Sequence, residues 1–292
     1  MIRSSLLQLS TFRDFARLLS LFSWQGPAVA LTILIAWAAS FFYAFSIGAI
    51  ALGPLVCGLL IPWFTLLYTG LFVTGHDAMH QSVAPGRPKL NRALGELALF
   101  IYGFVPYDKM YEAHAKHHQF PASHHDPDFH DGRRTHPVLW YFRFMRSYWT
   151  IRQTLSIVIV YNSLYRVMGV PEENLLVFWA IPSLLSSVQL FYFGTYLVHR
   201  QLPDTYQTPL RANSNYWPWL VSLITCYHFG YHREHHAFPE VPWWRLPQIA
   251  FGADHQPCAP QAIANHRCVN SGSALATISK PLVRRDRTRL KT

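Results

Sequence analysis

Four apolar stretches restrict this 292-residue chain to a membrane architecture. The first runs from about Gly26 to Ile47 and the second from about Ile50 to Val73, joined by a short uncharged link. A third covers about Thr154 to Val170 and a fourth Leu175 to Val198, separated by the charged turn Pro171-Glu172-Glu173. A helix of about 20 apolar residues crosses the roughly 30 Å hydrocarbon layer of a bilayer. The expectation is an all-α integral membrane protein with about four transmembrane helices and a cytosolic histidine-rich helical cap. Composition agrees: 51% of residues are hydrophobic, yet mean hydropathy is only +0.10, so apolar segments alternate with polar ones of comparable total length.

The charges orient these crossings. Nearly every Lys and Arg lies in the N-terminus, between Gln81 and Arg152, or beyond Val198, with Arg166 on the other side. By the positive-inside rule, both termini are cytoplasmic. That rule accounts for the net charge of +10, and no nucleic-acid partner is called for. The basic run Lys280 to Lys291 reads as a solvated tail, with anionic lipid contact as the alternative. A cleaved signal peptide is rejected for the first stretch, which is too long and whose removal would leave an odd number of crossings. Residues 1–250 read as one membrane domain. Residues 251–292, rich in Ser, Thr, Arg and Pro, read as a poorly ordered extension. Cys258 and Cys268 match no compact zinc pattern, and Cys226 reads as a packing residue.

Histidines cluster at the ends of the apolar stretches. His76/His80, His114/His117/His118 and His232/His235/His236 repeat at three- and four-residue spacing, which puts each cluster on one face of a helix. Neutral imidazole is a strong ligand for iron, zinc or copper. The first cluster follows the second apolar stretch directly, so a helix running one or two turns past the hydrocarbon carries both rings. The second falls in a polar helix-forming segment. The third follows Tyr216 to Gly230, an aromatic-rich stretch expected at the interface. His199, at the cytoplasmic end of the fourth stretch, is expected at the depth of His76 as a ninth ligand. His228 lies four residues before His232 and is expected on the same helical face, in a supporting role.

Eight or nine imidazoles exceed the needs of one ion, since a catalytic zinc takes about three protein ligands. Two ions are implied, and iron is preferred because a two-metal redox centre explains so many ligands beside apolar substrate space. Asp77, Glu112 and Glu234 are close enough in sequence to orient ligand rings through the second ring nitrogen, although each reads equally well as an ordinary surface acid.

These motifs resemble the membrane fatty-acid desaturase and hydroxylase superfamily, with its three histidine boxes. His-Asp-Ala-Met-His at 76–80, Asp-Pro-Asp-Phe-His at 126–130, and Thr-Cys-Tyr-His-Phe-Gly-Tyr-His-Arg-Glu-His-His at 225–236 are similar to β-carotene ketolases of the bacterial and cyanobacterial type. Phe-Pro-Glu-Val-Pro-Trp-Trp-Arg-Leu-Pro at 238–247 continues the likeness. The resemblance covers roughly Gly26 to Ala250. Departures are Gln81 in place of a common Gly, Val198 in place of a common Pro, and His124/His125, which lie outside the boxes and read as surface residues.

The resemblance implies a non-haem di-iron oxygenase that uses O2 to convert the C4 methylene of a β-ionone ring to a ketone, with β-carotene or a related carotenoid as substrate in the bilayer. It further implies Asp126, Asp128 and His130 as groups that shape the ring pocket or tune hydrogen bonds around the ligands, a helix-starting turn being the simpler reading. Trp63, Phe64, Tyr68, Phe191, Tyr192 and Phe193 are candidates for a polyene tunnel, with lipid contact or packing the stronger reading for each. No nucleotide or flavin signature is present, so electrons come from an external donor such as a ferredoxin, for which a basic face suits an acidic carrier. The alternatives are a carotenoid hydroxylase or fatty-acid desaturase, which release an alcohol or an alkene. A zinc protease is disfavoured because Asp77 replaces the expected glutamate. A membrane haem or metal carrier is disfavoured because the histidines sit at stretch ends.

Overall fold

The computed structural model describes residues 2–132, 135–200 and 210–251, with side chains from Trp24 onward. The sequence expectations for the C-terminal extension, including Cys258 and Cys268, lie outside the described residues. Among the described residues the chain is helical, with one isolated bridge between Ser214 and Tyr231 in place of any sheet.

Three helices are long and apolar enough to cross a membrane. They are Trp24–Ile47, the latter part of α1 (Ile2–Ile47), then α2 (Ala49–Met79), and a composite helix Glu172–His199. The third predicted stretch is shorter than the others. It forms α6 (Ile151–Asn162), extended by a π turn at Ser163–Val167, and Arg152 and Arg166 bound its apolar part. Between α2 and α6 lie α3 (Pro88–Gly103), α4 (Tyr107–Gln119) and α5 (Pro137–Tyr148). The composite helix is numbered α7, followed by α8 (Trp219–Cys226), α9 (His232–Ala237) and α10 (Leu246–Phe251).

Gly48, at φ 85°, makes the turn between α1 and α2, a conformation that suits glycine. The Asn174 side chain caps this turn from α7 by accepting the Ala49 N–H at 2.7 Å. Gly53, at φ 75°, kinks α2 just before Pro54. Beyond that kink α2 runs unbroken to Met79, so its last turns extend past the span its apolar core covers and carry His76, with His80 as the C-cap.

Hydrogen bonds fix which helix ends meet. Gln25 at the start of the α1 span accepts from Arg245 at 3.2 Å, and Arg87 stacks over Trp24, so this end lies with the histidine-bearing ends of α2 and α7. The first turn of α6 joins the same side, because Lys109 of α4 donates to the Tyr148 and Trp149 carbonyls just ahead of it. At its far end Tyr161 donates to Glu172 at the start of α7. Helices α2 and α7 are tied across the core by Thr69, Ser186 and Gln189, at 2.9 and 3.0 Å.

Helix α3 packs closely along α2, and glycines permit it. A Cβ at Gly75 would stand 2.5 Å from Leu99, and one at Gly95 would stand 2.5 Å from the Tyr107 ring and 2.8 Å from the Ala78 methyl. This contact sets where α4 begins. Helix α5 buries Trp140 and exposes Val138, Leu139 and Phe142, and the exposed Trp219, Leu220, Val221 and Ile224 make α8 similarly one-sided.

Candidate metal centre

Nine histidines from α2, α4, α7 and α9 meet at one end of the bundle. His76, His80, His114, His118 and His235 form one group, and His117, His199, His232 and His236 a second, with the ligand atoms of each group within 4.8 Å of one another. Helical spacing explains the split on α4: His114 and His118, four apart, serve the first group, whereas His117 turns to the second. On α9, His232 and His236 pair in the same way and His235 crosses to the first group. The stacked His118 and His236 rings, 4.4 Å apart, join the two.

The inward-facing atoms are Nε2. His114 lies 2.7 Å from His80 and 3.1 Å from His118, and His118 lies 3.0 Å from His235, all measured between Nε2 atoms. In the second group His236 Nε2 is 3.0 Å from His117 and 3.1 Å from His232. The outer nitrogens of several rings are committed elsewhere. His117 Nδ1 lies 3.0 Å from both Asp126 oxygens, His76 Nδ1 3.2 Å from Asp77, and His199 Nδ1 2.9 Å from the Arg211 carbonyl. Carboxylates and carbonyls only accept, so Nδ1 carries a proton in each case and, whenever the ring is neutral, a bare Nε2 lone pair faces the centre. The buried His199 Nε2 has no hydrogen-bond partner. Lone pairs packed against one another at this spacing repel unless a cation lies among them, so the donor set fits metal binding.

Titration behaviour supports this. Burial and the surrounding imidazoles hold His114, His118, His232, His235 and His236 well below the ordinary histidine range, so these rings are neutral and free to act as ligands near neutral pH. His117 differs: burial opposes its charging, but the Asp126 and Asp128 carboxylates prevail and push it up to about 9. Asp126 is held down by His117 despite burial, while burial pushes Asp128 up to about 6. Asp126 is itself fixed by the Ala122 and Asp128 N–H groups, both at 2.9 Å. Asp128 takes the Tyr148 hydroxyl and lies 3.7 Å from His117 Nδ1.

An apolar cavity of about 320 Å³ adjoins the histidines. His76, His114, His117 and His232 form its inner wall, and it runs between α6 and α7 to Tyr161 and Trp179.

Several sequence expectations are corrected in position. His228 does not share a helical face with His232. Tyr227 and His228 both adopt left-handed backbone, at φ 47° and 62°, which ends α8 and starts a turn before α9. Its Nδ1 pairs with Ser222 at 3.0 Å and its ring lies against Trp219 and Trp243. Glu112 is exposed on α4, and the buried Glu234 serves Ser214, Tyr216 and Arg233 in place of a ligand ring. Asp77 contacts His76 as expected of such an acid, and it also accepts the Trp243 N–H at 3.0 Å. His130 accepts from Gly132 and packs on Phe129 and Trp140, away from the cavity wall. His124 and His125 are exposed.

None of the six aromatics named as tunnel candidates lines the cavity. Phe64 and Tyr68 are core, Phe191 packs on Trp140, and Trp63 bonds Ser40. Phe72, Tyr102, Phe144, Tyr148 and Trp179 line it instead. No sequence signal separates them from the other aromatics, because each helix face is apolar toward both lipid and core.

The family model for fatty acid desaturases matches residues 51–166 and 144–267. A β-carotene ketolase of Paracoccus sp. (strain N81106) is 41% identical over 223 residues, 76% of this chain and 90% of the relative. A β-carotene ketolase of Paracoccus sp. (strain PC1) is 39% identical over 74% of this chain and 88% of its own. A zeaxanthin 4-ketolase of Chlamydomonas reinhardtii is 37% identical over 78% of this chain and 54% of its own. The chain belongs to the fatty acid desaturase family, in the branch occupied by the carotenoid ketolases.

Proposed function

We propose that this protein is a membrane carotenoid ketolase that places a keto group at C4 of β-ionone rings, taking β-carotene to echinenone and canthaxanthin. The observation that carries the reading is the pair of histidine groups, five and four rings, opening onto an apolar cavity in a chain about 40% identical to named ketolases. The nine histidines would hold two iron ions, one in each group. Bound there, iron supplies activation of O2 and abstraction of hydrogen from an allylic C–H bond.

The chain's own residues bind, orient and exclude water. Asp126, Asp77 and the Arg211 carbonyl fix the tautomers of His117, His76 and His199, which keeps Nε2 directed inward. The apolar walls between α6 and α7 receive the ring and adjoining polyene and hold the reacting carbon against the histidine wall, which supplies much of the advantage of a bound reaction. Each of two rounds consumes O2, two electrons and two protons and releases water. The first leaves an alcohol and the second a geminal diol, which loses water to give the ketone. Electrons come from a ferredoxin-like donor at the cytoplasmic face, where partly exposed His80 and His118 bring the centre closest to the surface.

The helix ends support a membrane topology for this reading. Helix α6 with its π turn runs from the histidine side to Glu172 and α7 returns, which supports a fourth crossing and, with the distribution of Lys and Arg, a cytoplasmic metal centre and termini. Expression in a β-carotene-producing cell followed by pigment extraction tests the assignment. Echinenone and canthaxanthin are the expected products. Unchanged β-carotene, or hydroxylated rings alone, contradicts it.

A further inference from the structure

Two residues of the cavity wall carry a buried polar atom without a partner, His232 through Nδ1 and Gln153 through Oε1, and Gln153 is the one outside the histidine groups. Gln153, in the first turn of α6, is 6% exposed and donates through Nε2 to the Gly103 carbonyl at 2.8 Å. A carbonyl accepts only, so this contact fixes the orientation of the amide. Its Oε1 is therefore the free end, buried and unpaired, on a residue that lines the cavity. Several other polar groups there are committed. Asp128 takes the Tyr148 hydroxyl, Ser187 pairs with Tyr141 and the Leu184 carbonyl, Ser183 with the Ala180 carbonyl, and Tyr161 with Glu172.

Gln153 also lies at the metal end of the cavity. Its helix begins beside α4, held by Lys109, whereas Tyr161, two turns on, marks the far end at Glu172. That separation is about 12 Å along the axis. A buried acceptor without a donor is costly, and an unsubstituted β-ionone ring, being hydrocarbon, has no donor to offer. The ring gains an O–H only after the first oxygenation.

We propose that Gln153 retains the once-oxygenated ring, Oε1 accepting the new C4 hydroxyl and keeping the remaining C4–H turned toward the histidine wall for the second round. Gln153 is thus a positioning residue that commits the reaction to ketone over alcohol. The inference rests on the ketolase reading above. No bond to the protein forms, and the second round draws on the same O2 and donor electrons as the first.

The test uses the full chain in lipid vesicles with a reduced ferredoxin, supplied in separate runs with β-carotene and with its 4-hydroxy derivative. The wild type shows a lower KM for the alcohol than for β-carotene. Q153M, of similar length but without the acceptor, raises the ratio of released alcohol to ketone about fivefold, the loss of one ordinary hydrogen bond. Q153E, whose neutral carboxyl keeps both a donor for Gly103 and an acceptor, restores the wild-type ratio. An alcohol-to-ketone ratio that stays put while total oxygenation falls makes Gln153 merely structural and overturns the inference. Equal wild-type KM values overturn it without any variant. Ketone formed with an unmoved ratio removes this inference alone, whereas no ketone from either substrate removes the ketolase reading with it.

Discussion

His117 is where the chemistry of single residues is most exposed. It alone among the nine rings contacts two buried acids, and its raised titration, to about 9, means that a proton occupies Nε2 at neutral pH before metal arrives. A metal must displace that proton, so affinity at the four-histidine group should rise about tenfold per pH unit toward pH 9 and level off above it. The first group, whose His114, His118 and His235 are already neutral, should vary far less above pH 7. Iron titration of the metal-free protein at several pH values reads both, and parallel curves for the two groups contradict the assignment. The alanine series separates ligands from bystanders. His117→Ala and His235→Ala should lose iron and ketone formation together, whereas exposed His124→Ala should keep both; equal effects at all three positions would remove the ligand assignment. Asp126→Asn should weaken metal binding about 10–100-fold while leaving the fold intact, because it unfixes the His117 tautomer but removes no ligand.

At the scale of elements, α4 is placed by α3, and α3 by its glycine contact with α2. Gly95 lies against Tyr107 and Ala78 with no room for a Cβ. Gly95→Val should cost about 1–3 kcal/mol through overpacking and shift the start of α4, which carries three of the nine clustered histidines. The measurement is iron content beside far-UV helicity: iron should fall while helicity holds, and unchanged iron contradicts this account of how α4 is aimed. This coupling is not legible in the sequence, where Gly95 is one small residue in an amphipathic segment. What was legible came from periodicity. The three- and four-residue histidine spacing announced α4 and α9, and the apolar run into His76 announced a helix that outlasts its lipid-facing part. His228 misled because the same spacing continues through a left-handed turn, and spacing carries no record of backbone sign. The tunnel aromatics misled because lipid-facing and cavity-facing rings have the same composition.

Across the whole molecule, four elements separated by up to 160 residues deliver their rings to one end of the bundle, and the crossings make this possible. Helices α2 and α7 run in the same direction, joined at the far end by Asn174 and through the middle by Thr69, Ser186 and Gln189, so His76 and His199 arrive at the same end. The amphipathic α4 and short α9 close over them. The cavity between α6 and α7 then brings apolar space to the histidine wall from within the bundle, the arrangement a lipid-dissolved substrate needs. In the proposed function these rings form a two-metal oxidising centre. Iron analysis of the purified full chain, made on the same sample that converts β-carotene, tests it most directly. The account predicts about two iron ions per chain, one for each histidine group, with ketone formation proportional to iron content. Full ketone formation with one iron or none per chain, or an active protein loaded with zinc alone, contradicts it.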